Sequence, residues 1–415
     1  MFFAKNGVLH LLKQGGFMEN SYYKKIIYKK NAIDDLKTFI KINYAHKRVL
    51  CVLDDNVLPE EHSVVLNALC KGADNVGHFC AKENFCRREL DLLSKKIVSG
   101  KYDVLVSVGG EMACESCKFF AWRYNLAFVV CPTKASSFMY FLNFCINPYD
   151  ANKSFYANSP DGVFISEDFI KQSNLFTNIN GLCFLNSLRA VLAETAIVGE
   201  EEYDFFVAGL KKLFIKLDEE SVNILLCSED ANLTLMDLLI DFGFFAQNVN
   251  LDCFYLFKMF MLCRSLNGEK ECFGKELLVC SKMILGVFAE CLRLGFDKKI
   301  EMPNYSLLEK MLKKTKINSK NVKNAQYFNG LGLNFAKFNK KVKKDENINL
   351  VVDCLYEIKR FCASVKNVYK GGIEVGGELS NFLNGLALSP YISGGGELLD
   401  VLAGCGVLNS FLTAS

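Results

Sequence analysis

A chain of 415 residues, 51% hydrophobic and 23% charged, is long enough for two domains and too apolar to be disordered. Its formal net charge of +3 excludes a strongly cationic surface, so nucleic acid is not expected as a partner. The longest apolar stretch, Leu277 to Phe296, is interrupted by Lys282, Glu290 and Arg293 and reads as a core helix, so no membrane span is expected.

The first 17 residues read as an extension detached from the fold, with Met18 as a candidate true start and Lys13 to Phe17 as a translated ribosome-binding site; the rival reading is a short signal segment, against which Lys13 and Gln14 stand where a small-residue cleavage site should be. Arg48 to Asn56 reads as a strand ending in acids. Helices are expected at Glu60–Cys70 and Glu83–Ser99, with a strand at Val76–Ala81 between them. Further strands are expected at 103–108 and 126–131, and another in the stretch Asn158 to Ser166. This alternation predicts a parallel sheet with helices on both faces. From about residue 171 the pattern turns helical: 182–198, 203–217, 231–246, 251–265, 271–294, 303–314 and 351–365. The tract from Lys313 to Asp345 is polar and Lys/Asn-rich and reads as a solvated connection, with a phosphate-binding patch as the alternative. Gly371 to Gly396 is Gly-rich and loop-like.

The chain is organised around Asp103 to Lys118, an apolar run that meets Gly109-Gly110 and continues as a helix, and around the next apolar run, which ends in Pro132-Thr-Lys-Ala-Ser136. A buried strand feeding a glycine turn and a helix N-terminus is a ready seat for a diphosphate. Glycine lets the backbone N–H groups come close, and the helix end favours negative charge. These residues resemble the iron-containing alcohol dehydrogenase and dehydroquinate synthase superfamily, and within it the sn-glycerol-1-phosphate dehydrogenases. That family carries three glycines, three residues, Asp, two residues and Lys, then Pro-Thr-x-Ala-Ser on the next strand. Gly109, Gly110 and Lys118 fit, as do Pro132, Thr133, Ala135 and Ser136. Glu111 stands for the third glycine and Glu115 for the Asp.

The resemblance implies a Rossmann-like α/β N-terminal domain over residues 18–170 and an all-α C-terminal domain over 171–415, with a cleft between them. It runs in order from about residue 24 to a closing helix at 397–408. It also implies NAD(P) as cofactor, held by Asp54, Gly109, Gly110, Glu115, Lys118, Thr133 and Ser136, and a small phosphorylated polyol or nucleotide as ligand. In the family the acid at the Asp54 position contacts the adenosine ribose; a strand-end or helix-cap role is the alternative. Glu111 either faces the diphosphate, where like charges repel, or turns outward as a first-turn helix acid. Lys134 could bind a phosphate or neutralise Glu111. Lys118 could instead pair with Glu115 at helical spacing.

Active relatives hold a divalent metal through one Asp and two His on helices of the second domain, where it polarises the alcohol oxygen for hydride transfer. The family's Gly-Leu-Gly-Asp run corresponds to Gly181-Leu-Cys-Phe184, which puts Phe184 at the Asp position. Cys253 falls at the second ligand, and Phe273-Gly-Lys-Glu-Leu277 puts Phe273 at the third. The four histidines are His10, His46, His62 and His78, so none lies in the second domain. Asp237, Asp241, Asp252, Cys253 and Cys272 remain as conceivable ligands. The expectation is a divergent member with no divalent metal and with lost or altered metal-dependent activity. The alternative is a non-catalytic nucleotide-binding, phosphate-binding or partner subunit, and a homo-oligomer is conceivable.

The 18 cysteines are scattered through predicted strands and helices, which points to free thiols in a reducing cytoplasm. Cys114 and Cys117 form a C-x-x-C near a helix N-terminus, a spacing open to redox work or to chance.

Overall fold

The computed structural model describes residues 26–55, 57–81, 85–149, 154–198, 204–247, 256–257, 259–260, 263, 273–294 and 345–369. The first half alternates strand and helix. β1 (Ile26–Lys29), α1 (Ala32–Tyr44), β2 (Arg48–Leu53), α2 (Pro59–Gly72), β3 (Asn75–Cys80) and α3 (Arg87–Gly100) come first. β4 (Val104–Gly109), α4 (Glu111–Tyr124), β5 (Ala127–Pro132) and a 3-10 turn at Met139–Phe141 follow. A short antiparallel pair, β6 (Phe144–Ile146) and β7 (Ser154–Tyr156), precedes β8 (Gly162–Ser166) and the single turn α5 (Glu167–Ile170). Helices then take over: α6 (Leu175–Ser187), α7 (Arg189–Val198), α8 (Asp204–Leu225), α9 (Glu229–Gln247), α10 (Phe273–Leu294) and α11 (Asp345–Val368).

Six strands form one parallel sheet in the order β1-β8-β5-β4-β2-β3. Central strands are buried along their length rather than at alternate positions, because both faces are covered; Val49 to Leu53 and Val104 to Val108 are buried throughout, with Ser107 the one polar residue among them. Ile33, Leu36 and Ile40 of α1 and Val65 and Leu69 of α2 pack on one face, against Val49, Cys51, Leu53, Val106, Val129 and Phe164. The expected α/β N-terminal domain with a parallel sheet, followed by a helical region, is the observed architecture.

The chain divides into two compact units. The first comprises Met1–Asp150, Ser154–Gly181 and Asn223–Gln247; the second comprises Ala151–Lys153, Leu182–Val222 and Asn248–Ser415. Every described residue of the second unit with regular structure is helical. Within the second unit α11 packs on α7 and α10, and α10 also packs on α7.

Three helix expectations change. The helix expected from Glu83 starts at Arg87, because Phe85 has φ 54°, a left-handed conformation that no helix interior accepts. The helix expected over 182–198 is two, broken at Leu188, whose N–H bonds to Leu185 three residues back while Ser187 Oγ takes the Phe184 carbonyl. The helix expected over 203–217 continues to Leu225. Of the helix at 251–265, Leu256, Phe257, Met259, Phe260 and Cys263 are helical and the other positions lie outside the described residues. The 1–17 extension, Met18, the 303–314 helix, the Gly-rich stretch, the closing helix and nearly all of the Lys-rich tract also lie outside them.

Candidate functional site

In the sheet, β2 leads to β3 on one side, and the chain then crosses over to place β4 on the other. The carboxyl ends of β2 and β4 therefore flank a topological switch point, the place where open α/β sheets open a crevice. The register brings the ends level. Leu53 pairs with Val108 and Gly109 with Pro132, while Asp54 N–H reaches the Val108 carbonyl and Thr133 N–H the Gly109 carbonyl. Asp54, Gly109, Gly110, Thr133 and Ser136 are thus gathered at the carboxyl ends of the central strands.

Asp54 is buried and its Oδ2 accepts the Gly110 N–H. Gly109 has φ 129°, and a Cβ there would run into the Asp54 carboxylate. A Cβ on Gly110 would sit 3.2 Å from Asp54 Oδ2 and 3.8 Å from Ser136 Oγ. Gly109 is needed because a carboxylate of the chain itself is already against the turn, and a Cβ at Gly110 would require that carboxylate to give by a few tenths of an ångström.

Glu111 opens α4 but does not turn outward, which corrects that reading. It is 9% exposed, accepting Ser136 Oγ–H at 2.7 Å and Asn180 Nδ2–H at 3.1 Å. The helix N-terminus favours a carboxylate there, and Asn180 also holds the Ser136 carbonyl. Ser136 Oγ lies 2.7 Å from the Tyr140 hydroxyl. Burial first, and then the Glu111 carboxylate, push the Tyr140 phenol well above the ordinary tyrosine range. A further anion brought within about 4 Å of either carboxylate would be repelled by about 4 kcal/mol at an effective dielectric constant of about 20.

Lys134 does not neutralise Glu111; this second expectation is corrected. Its ammonium lies 3.3 Å from Glu61 Oε1, while Glu61 Oε2 takes the Leu58 N–H at the start of α2. Thr133 is fully buried and its Oγ1 has no hydrogen-bond partner.

Glu115 and Lys118 lie deeper along α4 and pair with each other. Lys118 Nζ also donates to the Met139 and Phe144 carbonyls, each at 3.0 Å, and Glu115 Oε2 accepts the Ile146 N–H. Burial works against the charged Lys118, but Glu115, with Cys114 and Cys145 nearby, outweighs it and the net direction is upward. The pair ties residues 139–146 to α4. Glu61, Tyr140 and Asn180 were not singled out from the sequence. Glu61 is signalled by Pro59 at the first helical position and an acid two residues later; Asn180 immediately precedes the Gly181 of the family stretch.

Two of the three positions that the resemblance assigns to metal ligands carry residues that offer none. In the second unit, Phe184 on α6 and Phe273 on α10 are both buried, and a phenyl ring offers a divalent cation no lone pair. Asp252, Cys253 and Cys272 lie outside the described residues. Among the described residues no group of three or more His, Cys, Asp or Glu side chains could hold a metal ion.

Cys114 and Cys117 are both buried on α4. Burial pushes Cys114 up to about 12, with Lys118 pulling it back only in part, and pushes Cys117 well above the ordinary thiol range. Both shifts disfavour the thiolate, the form that redox work at this pair would use.

Residues 27–173 match the family model of iron-containing alcohol dehydrogenase. Among the solved structures that resemble this chain over most of its length are the following three. A variant of an archaeal halo-thermophilic alcohol dehydrogenase from a Red Sea brine pool has 10% identity and a TM-score of 0.64, covering 94% of this chain and 96% of that one. An iron-containing alcohol dehydrogenase from Thermotoga maritima has 10% identity and a TM-score of 0.56, covering 87% and 90%. Glycerol dehydrogenase from Schizosaccharomyces pombe has 15% identity and a TM-score of 0.50, covering 94% and 89%. At these identities the likeness is one of fold. No curated protein matches the sequence.

Proposed function

We propose, from the premise that this chain belongs to the iron-containing alcohol dehydrogenase superfamily, that it has lost the metal-dependent hydride transfer of that oxidoreductase family. It serves as a non-catalytic binding or partner protein on the inherited fold. The observation that carries this reading is the pair of buried phenylalanines, Phe184 and Phe273, at two positions where the resemblance calls for metal ligands. A divalent cation beside phenyl carbon would lose its hydration without gaining a ligand, a cost of many kcal/mol. The ancestry implied by the Pro-Thr-x-Ala-Ser turn is a polyol-phosphate dehydrogenase acting on glycerol 1-phosphate or dihydroxyacetone phosphate.

The test is direct. The purified chain is incubated with zinc, iron or nickel, desalted and analysed for metal. It is then assayed for oxidation of glycerol 1-phosphate with NAD and NADP, and for reduction of dihydroxyacetone phosphate with NADH and NADPH. No retained metal and no turnover are expected; stoichiometric metal with chelator-sensitive turnover would sink the proposal.

A second reading is an enzyme that binds NAD(P) and works without metal. One observation favours it: Thr133, in the family's nucleotide-side turn, is fully buried with its hydroxyl unpartnered. Turnover unchanged by chelator would support it.

A further inference from the structure

Three donors around the β4–α4 turn face carboxylates of the chain itself. The Gly110 N–H donates to Asp54. The Ser136 hydroxyl donates to Glu111 Oε2 at 2.7 Å, and the Asn180 amide donates to Glu111 Oε1 at 3.1 Å. Asp54 arrives from the end of β2 and Glu111 from the first residue of α4, so each flanks the glycines from a different element. Lys134, in the neighbouring turn after β5, is paired with Glu61. All of these residues belong to the first compact unit.

We infer that Asp54 and Glu111 form a built-in anion that takes the place of a dinucleotide's diphosphate, closing the turn to NAD(P) and to nucleoside diphosphates in the native chain. The physical ground is twofold. A diphosphate would bring its charges against two partly buried carboxylates. It would also have to displace them from N–H and O–H partners that they already hold, leaving those carboxylates to find others. Gly109 and Gly110 are retained for a different purpose from the inherited one: they admit the Asp54 side chain. The inference rests on the proposed loss of hydride transfer and deepens it from an independent set of contacts. It argues against the metal-free NAD(P) reading.

The experiment titrates the full chain with NADH, NADPH and ADP, following Trp122 fluorescence and calorimetry. Two double variants are treated alike: Asp54→Ser with Glu111→Gly, which opens space, and Asp54→Asn with Glu111→Gln, which removes charge and keeps shape. Circular dichroism and melting identify which are folded. The native chain is expected to show no saturation up to millimolar ligand, and a folded double variant to bind roughly tenfold or more tightly than the native chain. Saturable micromolar binding by the native chain overturns the inference, as does a folded variant pair with no gain. The two proposals fail separately. NADH binding by a native chain that holds no metal removes only the built-in anion, whereas chelator-sensitive turnover removes the loss of hydride transfer.

Discussion

The Lys118 ammonium is fully buried and is surrounded by Glu115 and the carbonyls of Met139 and Phe144. A buried pair of this kind adds little over a well-packed apolar pair, but removing one partner strands the other charge away from water. Lys118→Ala is therefore expected to cost about 3–5 kcal/mol in urea unfolding, since it leaves Glu115 and two carbonyls short of a donor. Adding Glu115→Gln to Lys118→Ala should restore part of the loss, giving a coupling of about 1 kcal/mol or more. Strictly additive losses would show that the pair is not coupled. The sequence alone shows the i, i+3 spacing of this pair. It could not give the two carbonyls, because they come from the 3-10 turn and β6, more than twenty residues on.

At the scale of elements, α6 meets the Pro132-Thr-Lys-Ala-Ser turn through Gly181. A Cβ on Gly181 would lie 2.5 Å from the Ala135 carbonyl oxygen, a backbone atom that cannot rotate aside. Two effects compete in Gly181→Ala. Helix propensity favours alanine by about 1 kcal/mol, while overpacking a close contact costs about 1–3 kcal/mol. Here the clash wins, because retreat of α6 would also pull Asn180 from Glu111 and Ser136. Net destabilisation of about 1–2 kcal/mol in urea unfolding is expected, and a gain in stability would refute the close approach. Much of the first half was legible at this scale: strands at 48, 76, 103 and 126 follow from apolar runs bounded by glycine, proline and acids. The break at Leu188 was not, because it is made by Ser187 bonding back to Phe184, and a hydroxyl in a helical pattern does not reveal which carbonyl it will choose.

At the scale of the whole molecule, the shifted groups among the described residues move in one direction. Burial pushes Cys114, Cys131 and Cys354 up to about 12 from an ordinary 9.0, and it raises Cys51, Cys117, Cys145 and Cys280 well above that value. The sequence placed the thiols in strands and helices. It left their burial open, since that depends on tertiary packing: for Cys51 and Cys131 on the strand order, which puts β2, β4 and β5 in the centre, and for Cys280 and Cys354 on how their helices pack. In the alkaline range the unfolded chain loses thiol protons from about pH 9 upward while the folded chain keeps them. Fewer protons bound in the unfolded state makes stability fall as pH rises. The contribution of these thiols is complete below pH 9 and is lost progressively towards pH 12. The melting temperature is therefore expected to hold level from pH 7 to pH 8.5 and to decline steadily above pH 9. Cys114→Ala with Cys131→Ala should flatten that decline, whatever the two cavities cost at neutral pH, because the slope counts protons and not packing. Thiol labelling of the native chain at pH 8 should reach the exposed Cys70 and Cys80 and spare Cys114 and Cys117. A level melting temperature through pH 10.5, or rapid alkylation of Cys114, would mean that these thiols reach water and that the sheet is not closed over them.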